Sequence, residues 1–247
     1  MSFSYEELAE IRHYIHQHPE LSGQEYQTTV FLKERLEELG IRILESGLKT
    51  GLIAEIGSGK PVVALRADID ALPVLEQTNL PYQSQHPGVM HACGHDFHQT
   101  SLLGAAALLK EKEDQLEGTI RLIFQPAEEI SEGASDVLAT GLLEDVQGII
   151  GFHNMPQLKA GQLALNAGAM MAGVEKFKVT VTGVSSHAAR PDLGVDTVTA
   201  VTTMVQNVQL LISRTISPFE TAVLSITHLD VGSTWNVLPK SGYFEGT

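Results

Sequence analysis

The chain has 247 residues, 43% of them hydrophobic and 19% charged, which allows a sizeable core and excludes a disordered tail. Sixteen Lys and Arg against 30 Asp and Glu leave a net charge of −14, so nucleic acid and anionic membranes are excluded as expected partners. A single Cys rules out an intrachain disulfide, no apolar run reaches the about 18 residues of a membrane span, and residues 1–7 lack a signal core. The expectation is a soluble cytoplasmic protein.

Leu8, Ile11 and Ile15 recur at helical spacing and predict a first helix. A second is predicted over about 25–39, with Leu32, Leu36 and Leu39 on one face and Gly40 in the stop position. Apolar runs at 51–56, 62–65, 119–124 and 148–152 fit buried strands. The Ala-rich run 101–109, between the second and third of these, predicts a helix. Strands alternating with helices predict an α/β layer fold.

The pattern changes near residue 172. Phe177, Val179 and Val181 alternate with polar residues, as in a strand with one wet face. The stripe Val198, Val201, Val205, Val208 and Ile212 predicts one long helix from about Asp196 to Ser213, and 222–227 alternates again. Residues 242–247 read as a strand beginning. Two domains are therefore expected, 1–172 and 173–247, the second of α+β type.

Four polar clusters carry the chemistry, most of them directly after a predicted strand. They are Asp68 with Asp70, Glu128 with Glu129, His153, and the run His91 to His98 that contains Cys93 and His95. Carboxyl ends of strands in open α/β sheets are where ligands bind, so these clusters are expected to converge on one crevice. Thiolate, imidazole and carboxylate together suit Zn, and Mn accepts the imidazole and carboxylate part. Cys93 and His95, two apart, are expected on one side of an extended segment or loop. Glu128 and Glu129 are expected to point differently, one holding metal and the other acting as general base on water. Asp68 and Asp70 are read as orienting carboxylates. His13, His16 and His18 are expected to be solvated, His86 to sit in a turn, and His98 to cap a helix or stand behind Cys93 and His95.

These residues resemble the M20 metallopeptidases, in the amidohydrolase branch of hippurate hydrolases, N-acyl-amino-acid aminoacylases and auxin-conjugate hydrolases. The resemblance is carried by Arg66 to Pro73, Met90 to Asp96, Gln125 to Glu129, Gly151 to Asn154, Ser186 to Pro191, and Trp235 to Pro239, in order along the chain. It implies a zinc-peptidase-like α/β catalytic domain with an inserted α+β lid that mediates dimers. It implies Cys93, His95, Glu129 and His153 as ligands of Zn or Mn, two ions in a complete enzyme. Glu128 would be the base, with Asp70 as its supporting carboxylate. His187 and Asn236 would bind the substrate carboxylate or an oxyanion. Relatives continue past this point with the rest of the lid and a further metal-binding His, so both domains are expected to be incomplete and this chain inactive or weakly active. His228, inside a predicted strand, is not given that role.

The expected function is a metal-dependent amidohydrolase cleaving N-acyl amino acids or small peptide-like amides, as a homodimer through the lid. The alternatives are a dipeptidase or aminopeptidase, and a non-catalytic metal-binding fragment.

Overall fold

The computed structural model describes residues 3–247, which divide into two compact units, one up to Gln162 and the other Leu163–Thr247. In the first unit, α1 (Tyr5–Gln17) opens on a capping box in which Ser4 Oγ accepts the Glu7 amide and Glu7 returns a carboxylate to the Ser4 amide. Then α2 (Tyr26–Glu38) stops where Gly40 takes a φ of +69°, as the Gly in the stop position predicts. β1 (Arg42–Leu44), too short to show in the sequence, is followed by β2 (Leu52–Ser58) and β3 (Val62–Asp68). α3 (His95–Lys110), β4 (Gly118–Gln125), α4 (Gly133–Ala139) and β5 (Val146–Gly151) complete the unit.

The five strands form one sheet in the order β1-β2-β4-β3-β5. β1, β2 and β4 pair antiparallel, with Ile53 opposite Ile123; β3 runs parallel to both β4 and β5. Because side chains alternate along a strand, each strand feeds two layers. Leu52, Ala54 and Ile56 of β2 join Leu122 and Phe124 of β4 beneath Leu32 and Leu36 of α2 and Leu102, Leu103 and Ala106 of α3. Ile53, Ala64 and Ile123 face the other way and pack with Val137 of α4. The run at 148–152, expected to be buried, is not: Ile149 is 57% and Ile150 69% exposed, because β5 is the edge strand and pairs only with β3 among the described residues.

The second unit contains β6 (Phe177–Thr182), β7 (Ser186–His187), α5 (Thr197–Val208), α6 (Leu210–Thr215), β8 (Ile226–Val231), β9 (Val237–Leu238) and β10 (Ser241–Gly246). β10 is the centre of an antiparallel sheet, β6-β10-β8, covered by α5 through Val201 and Phe244. Two expectations need correction. The single helix 196–213 is broken at Gln209. Its first half is rich in Val and Thr, and Thr202 and Asn207 side chains bond the carbonyls of Val198 and Thr203, competing with the helical ladder. The strand expected at 222–227 lies at 226–231 instead, since pairing with β10 sets its extent; Ser225 still exchanges backbone bonds with Thr247, and 222–224 have no partner strand among the described residues. No helix of the described residues is long and apolar enough to cross a membrane.

Gly51 ties this scaffold to the strand ends. Its φ is +77°, and a Cβ there would lie 2.6 Å from both the Phe124 carbonyl oxygen and Pro126 Cδ. Gly51→Ala is therefore expected to cost about 1–3 kcal/mol. A urea midpoint equal to that of the parent chain would contradict this.

Candidate metal centre

Since β3, β4 and β5 run in the same direction, their carboxyl ends open on one side of the sheet. Asp68 ends β3 and Asp70 lies two residues on; Glu128 and Glu129 follow β4; His153 and Asn154 follow β5. α3 begins six residues before the predicted Ala-rich run, which puts His95 in its first turn rather than in a loop. Gly94 precedes it with a φ of +94°, and a Cβ there would collide with the Asn154 side chain.

His95 is the centre of the cluster and is 1% exposed. Its Nδ1 donates to the Asp70 carbonyl oxygen at 2.8 Å, with the Asp70 carboxyl Oδ1 at 3.3 Å. That bond fixes the ring and leaves Nε2 as the free donor atom. Nε2 is buried without a hydrogen-bond partner. It faces Asp68 Oδ2 at 3.7 Å, Glu129 Oε1 at 3.7 Å and Glu128 Oε2 at 4.0 Å. Glu128 and Glu129 thus reach toward the same atom, where divergent directions were expected. Cys93 Sγ lies 3.3 Å from His153 Nε2, and with His95 these residues offer three donor atoms within 4.8 Å of one another. Asp70 Oδ2 accepts the Ser22 hydroxyl at 2.6 Å and the Glu129 amide at 3.0 Å, which ties the two loops together.

The charges are out of balance. Burial acts to raise the Asp68 carboxyl, but His98, His95 and Arg66 together hold it at about 2. Burial and the neighbouring charges of Glu129 and Asp68 raise Glu128. Burial, with Glu129 beside it, pushes the Cys93 thiol to about 12. Burial would lower the His95 imidazole, yet Asp70, Asp68 and Glu129 outweigh it and raise it. Arg66 forms an ion pair with Asp68 at 2.6 Å. A divalent cation would balance the remaining negative charge and give partners to His95 Nε2 and to Glu129 Oε1, which is also buried and unpartnered. Sulfur, nitrogen and oxygen donors in this arrangement fit such an ion.

His98 stands behind this group. Its Nδ1 donates to Asp68 Oδ1 at 2.6 Å, and its Nε2 faces Asn154, whose backbone N–H lies at 3.1 Å and side-chain Oδ1 at 2.6 Å. Of the two readings open for His98, the bracing one is found. His187 and Asn236 lie in the second unit, where β7 pairs with β9: His187 is opposite Val237, and the Ala188 amide donates to the Asn236 carbonyl at 3.0 Å. His187 Nδ1 accepts the Ala189 amide at 3.1 Å, which leaves Nε2 as the protonated, exposed nitrogen. His228 faces Glu245 at 3.1 Å within the β6-β10-β8 sheet.

His16 departs from expectation. It is 4% exposed, not solvated, because the face of α1 that carries it packs on α3. Its Nδ1 meets Asp96 Oδ2 at 3.0 Å and its Nε2 meets Glu76 Oε1 at 3.2 Å, while Arg12 Nε donates to the same Asp96 oxygen at 3.0 Å. Asp96 is the neighbour of His95, so this network braces the turn that carries the central imidazole. The sequence assigns no supporting role to Glu25, Asp96 or Asn154, although Asp96 and Asn154 lie within the runs that carry the resemblance; Glu25 has no spacing signal of its own.

Burial acts to raise the Asp96 carboxyl, but His16, His91 and Arg12 hold it at about 2. A depressed carboxylate stabilises the fold above its unfolded value, near 3.8, and loses that contribution as pH falls toward 2. The amount is about 2 kcal/mol. Urea midpoints at pH 6 and pH 2.5 are expected to differ less in Asp96→Asn than in the parent chain. Equal differences would contradict the assignment.

Comparison with known proteins identifies the family. Residues 64–230 match the family described as Peptidase family M20/M25/M40. The chain is 48% identical over 243 residues to an N-acetyl-L-cysteine deacetylase of Bacillus subtilis (strain 168), covering 98% of this chain and 58% of that protein. It is 42% identical over 238 residues to IAA-amino acid hydrolase ILR1-like 5 of Arabidopsis thaliana, covering 96% of this chain and 55% of that one. The crystal structure of a dinuclear metal binding peptidase of the M20 family from Bacillus subtilis superimposes with a TM-score of 0.76 at 44% identity, over 97% of this chain and 62% of the other. The chain therefore spans less than two thirds of the length of these relatives. With the family's motifs in order and its fold in both units, the chain belongs to peptidase family M20/M25/M40.

Proposed function

We propose that this chain is the amino-terminal part of a metal-dependent amidohydrolase that cleaves the amide of N-acyl amino acids or small peptide-like substrates. The observation that carries this is the convergence of Asp68, Glu128 and Glu129 on the unpartnered Nε2 of His95. Cys93, His95, Glu129 and His153 would hold the divalent ion, Zn or Mn, with room in the donor set for two. The ion supplies Lewis acidity at the amide carbonyl and at water.

The side chains do the rest. Glu128 is half-buried, and burial and the neighbouring Glu129 raise its carboxyl from the ordinary value, a shift in the direction that makes it a stronger base toward water. The water oxygen bonds to the amide carbon, and the C–N bond breaks. Glu128 then passes the proton to the leaving nitrogen, so that a carboxylic acid and an amine are released. Asp70 acts through position: it holds the His95 ring by its carbonyl oxygen and the Glu129 amide by its carboxylate. His187, with Nε2–H exposed, and Asn236 are proposed to bind the substrate carboxylate or the developing oxyanion. The named relatives, a deacetylase of N-acetylcysteine and a hydrolase of an amino-acid conjugate, support this substrate class over free dipeptides. A cytoplasmic homodimer assembled through the second unit is proposed with it.

The assay compares N-acetyl and N-benzoyl amino acids with dipeptides, on this chain and on one extended to the relatives' length. In the active form, Glu128→Gln is expected to keep its metal and lose roughly 10²- to 10⁴-fold in turnover. Near-normal turnover would reject Glu128 as the base. Cys93→Ala and Glu129→Gln are expected to lower metal content after purification without chelator, whereas His187→Ala is expected to leave it unchanged and weaken catalysis. Metal loss in His187→Ala would remove that residue from the substrate-binding role.

A further inference from the structure

Glu25 stands immediately before α2 and is 0% exposed. Its Oε1 accepts the backbone N–H of Ala127 at 2.8 Å, across more than 100 residues of sequence. Ala127 is 4% exposed and has a φ of +49°. A residue with a Cβ in the left-handed region costs about 1–2 kcal/mol, and it persists only where its surroundings hold it. Ala127 directly precedes Glu128 and Glu129, so its φ sets the direction in which both acids leave the sheet.

The turn is suspended at alternate amides. Glu25 takes the amide of Ala127, and Asp70 takes the amide of Glu129 at 3.0 Å. The Ala127 carbonyl accepts the amides of Glu132 at 3.3 Å and Gly133 at 3.1 Å. The base of α2 is itself fixed: the Thr29 hydroxyl donates to the Glu25 carbonyl at 2.6 Å and accepts the Gly51 amide at 2.7 Å. Gly51 in turn packs against Pro126. The second carboxyl oxygen of Glu25, Oε2, is buried without a hydrogen-bond partner.

We propose that Glu25 is a positioning residue whose buried carboxyl, by accepting the Ala127 amide, holds the left-handed turn that aims Glu128 and Glu129 at His95. The proposal rests on the metal reading above. Without this acceptor, Ala127 relaxes toward negative φ and displaces the Glu129 carboxyl, and a ligand moved by about an ångström is no longer preorganised.

Cobalt(II) titration of the chelator-stripped chain, followed by visible absorbance, reads this without any need for turnover. Glu25→Gln keeps an acceptor oxygen and is expected to bind cobalt within about twofold of the parent. Glu25→Ala is expected to lose roughly 10- to 100-fold in cobalt affinity. Adding Ala127→Gly to Glu25→Ala is expected to restore most of that loss, because glycine takes positive φ without a steric penalty. A merely structural role for Glu25 predicts no rescue by a change at residue 127. A folded Glu25→Ala chain that binds cobalt like the parent, or an unrescued double variant, overturns the proposal. If Glu25→Ala does not fold, Glu25→Gln decides: binding near the parent's supports the proposal, and a tenfold loss overturns it. A parent chain that binds no cobalt overturns the metal reading and this proposal with it.

Discussion

Repulsion among carboxylates around one buried imidazole is the constraint on which the rest of this structure depends. Asp68, Glu128 and Glu129 all place an oxygen within 4.0 Å of His95 Nε2, and Cys93 and His153 close the same space. Glu128 and Glu129 place oxygens within 4.8 Å of each other, and like charges that close repel by about 3 kcal/mol in a medium of reduced dielectric unless a cation joins them. Burial and the charge of Glu129 together raise Glu128 and push the Cys93 thiol to about 12, whereas Asp68 stays low because His98, His95 and Arg66 offset its burial. A divalent ion resolves the repulsion, and the fold gives it rigid walls.

Those walls are made of backbone acceptors and buried polar groups. The Asp70 carbonyl sets the His95 ring, His98 ties Asp68 to the Asn154 segment, and Asp70 and Glu25 hold the turn that carries the two glutamates. Arg12 and His16, reaching from α1, fix Asp96 beside His95. The supports come from α1, α3, the residue before α2 and the segment after β3, so the site is determined by the packing of the whole first unit. That packing rests on the two apolar layers either side of β2 and β4.

Much of this was legible in the sequence, for physical reasons that differ by element. Leu32 and Leu36 mark α2 because a helix buries one stripe, and the runs that became β2, β3 and β4 are apolar because both faces of the sheet are covered. The run 148–152 looked the same but lies exposed at the edge, since sequence does not show which strand is central. The Ala-rich run located α3 but not its start, as the first turn carries polar side chains turned to the cluster. The ligand types were readable because Cys, His and Glu at strand ends have few other uses. The supporting roles of His16, Glu25 and Asp96 were not, because nothing in the spacing of a charged residue shows that it will be buried against a distant partner. Their partners lie 60 to 102 residues away.

A metal at this cluster is located by anomalous diffraction from crystals of this chain grown with Zn or Mn, recorded at the edge of the metal. A peak is expected about 2.0–2.3 Å from His95 Nε2, with Glu129 and the Cys93 or His153 side chain among its neighbours. A fully soaked crystal with no peak at His95, or with its metal bound elsewhere, would contradict that expectation.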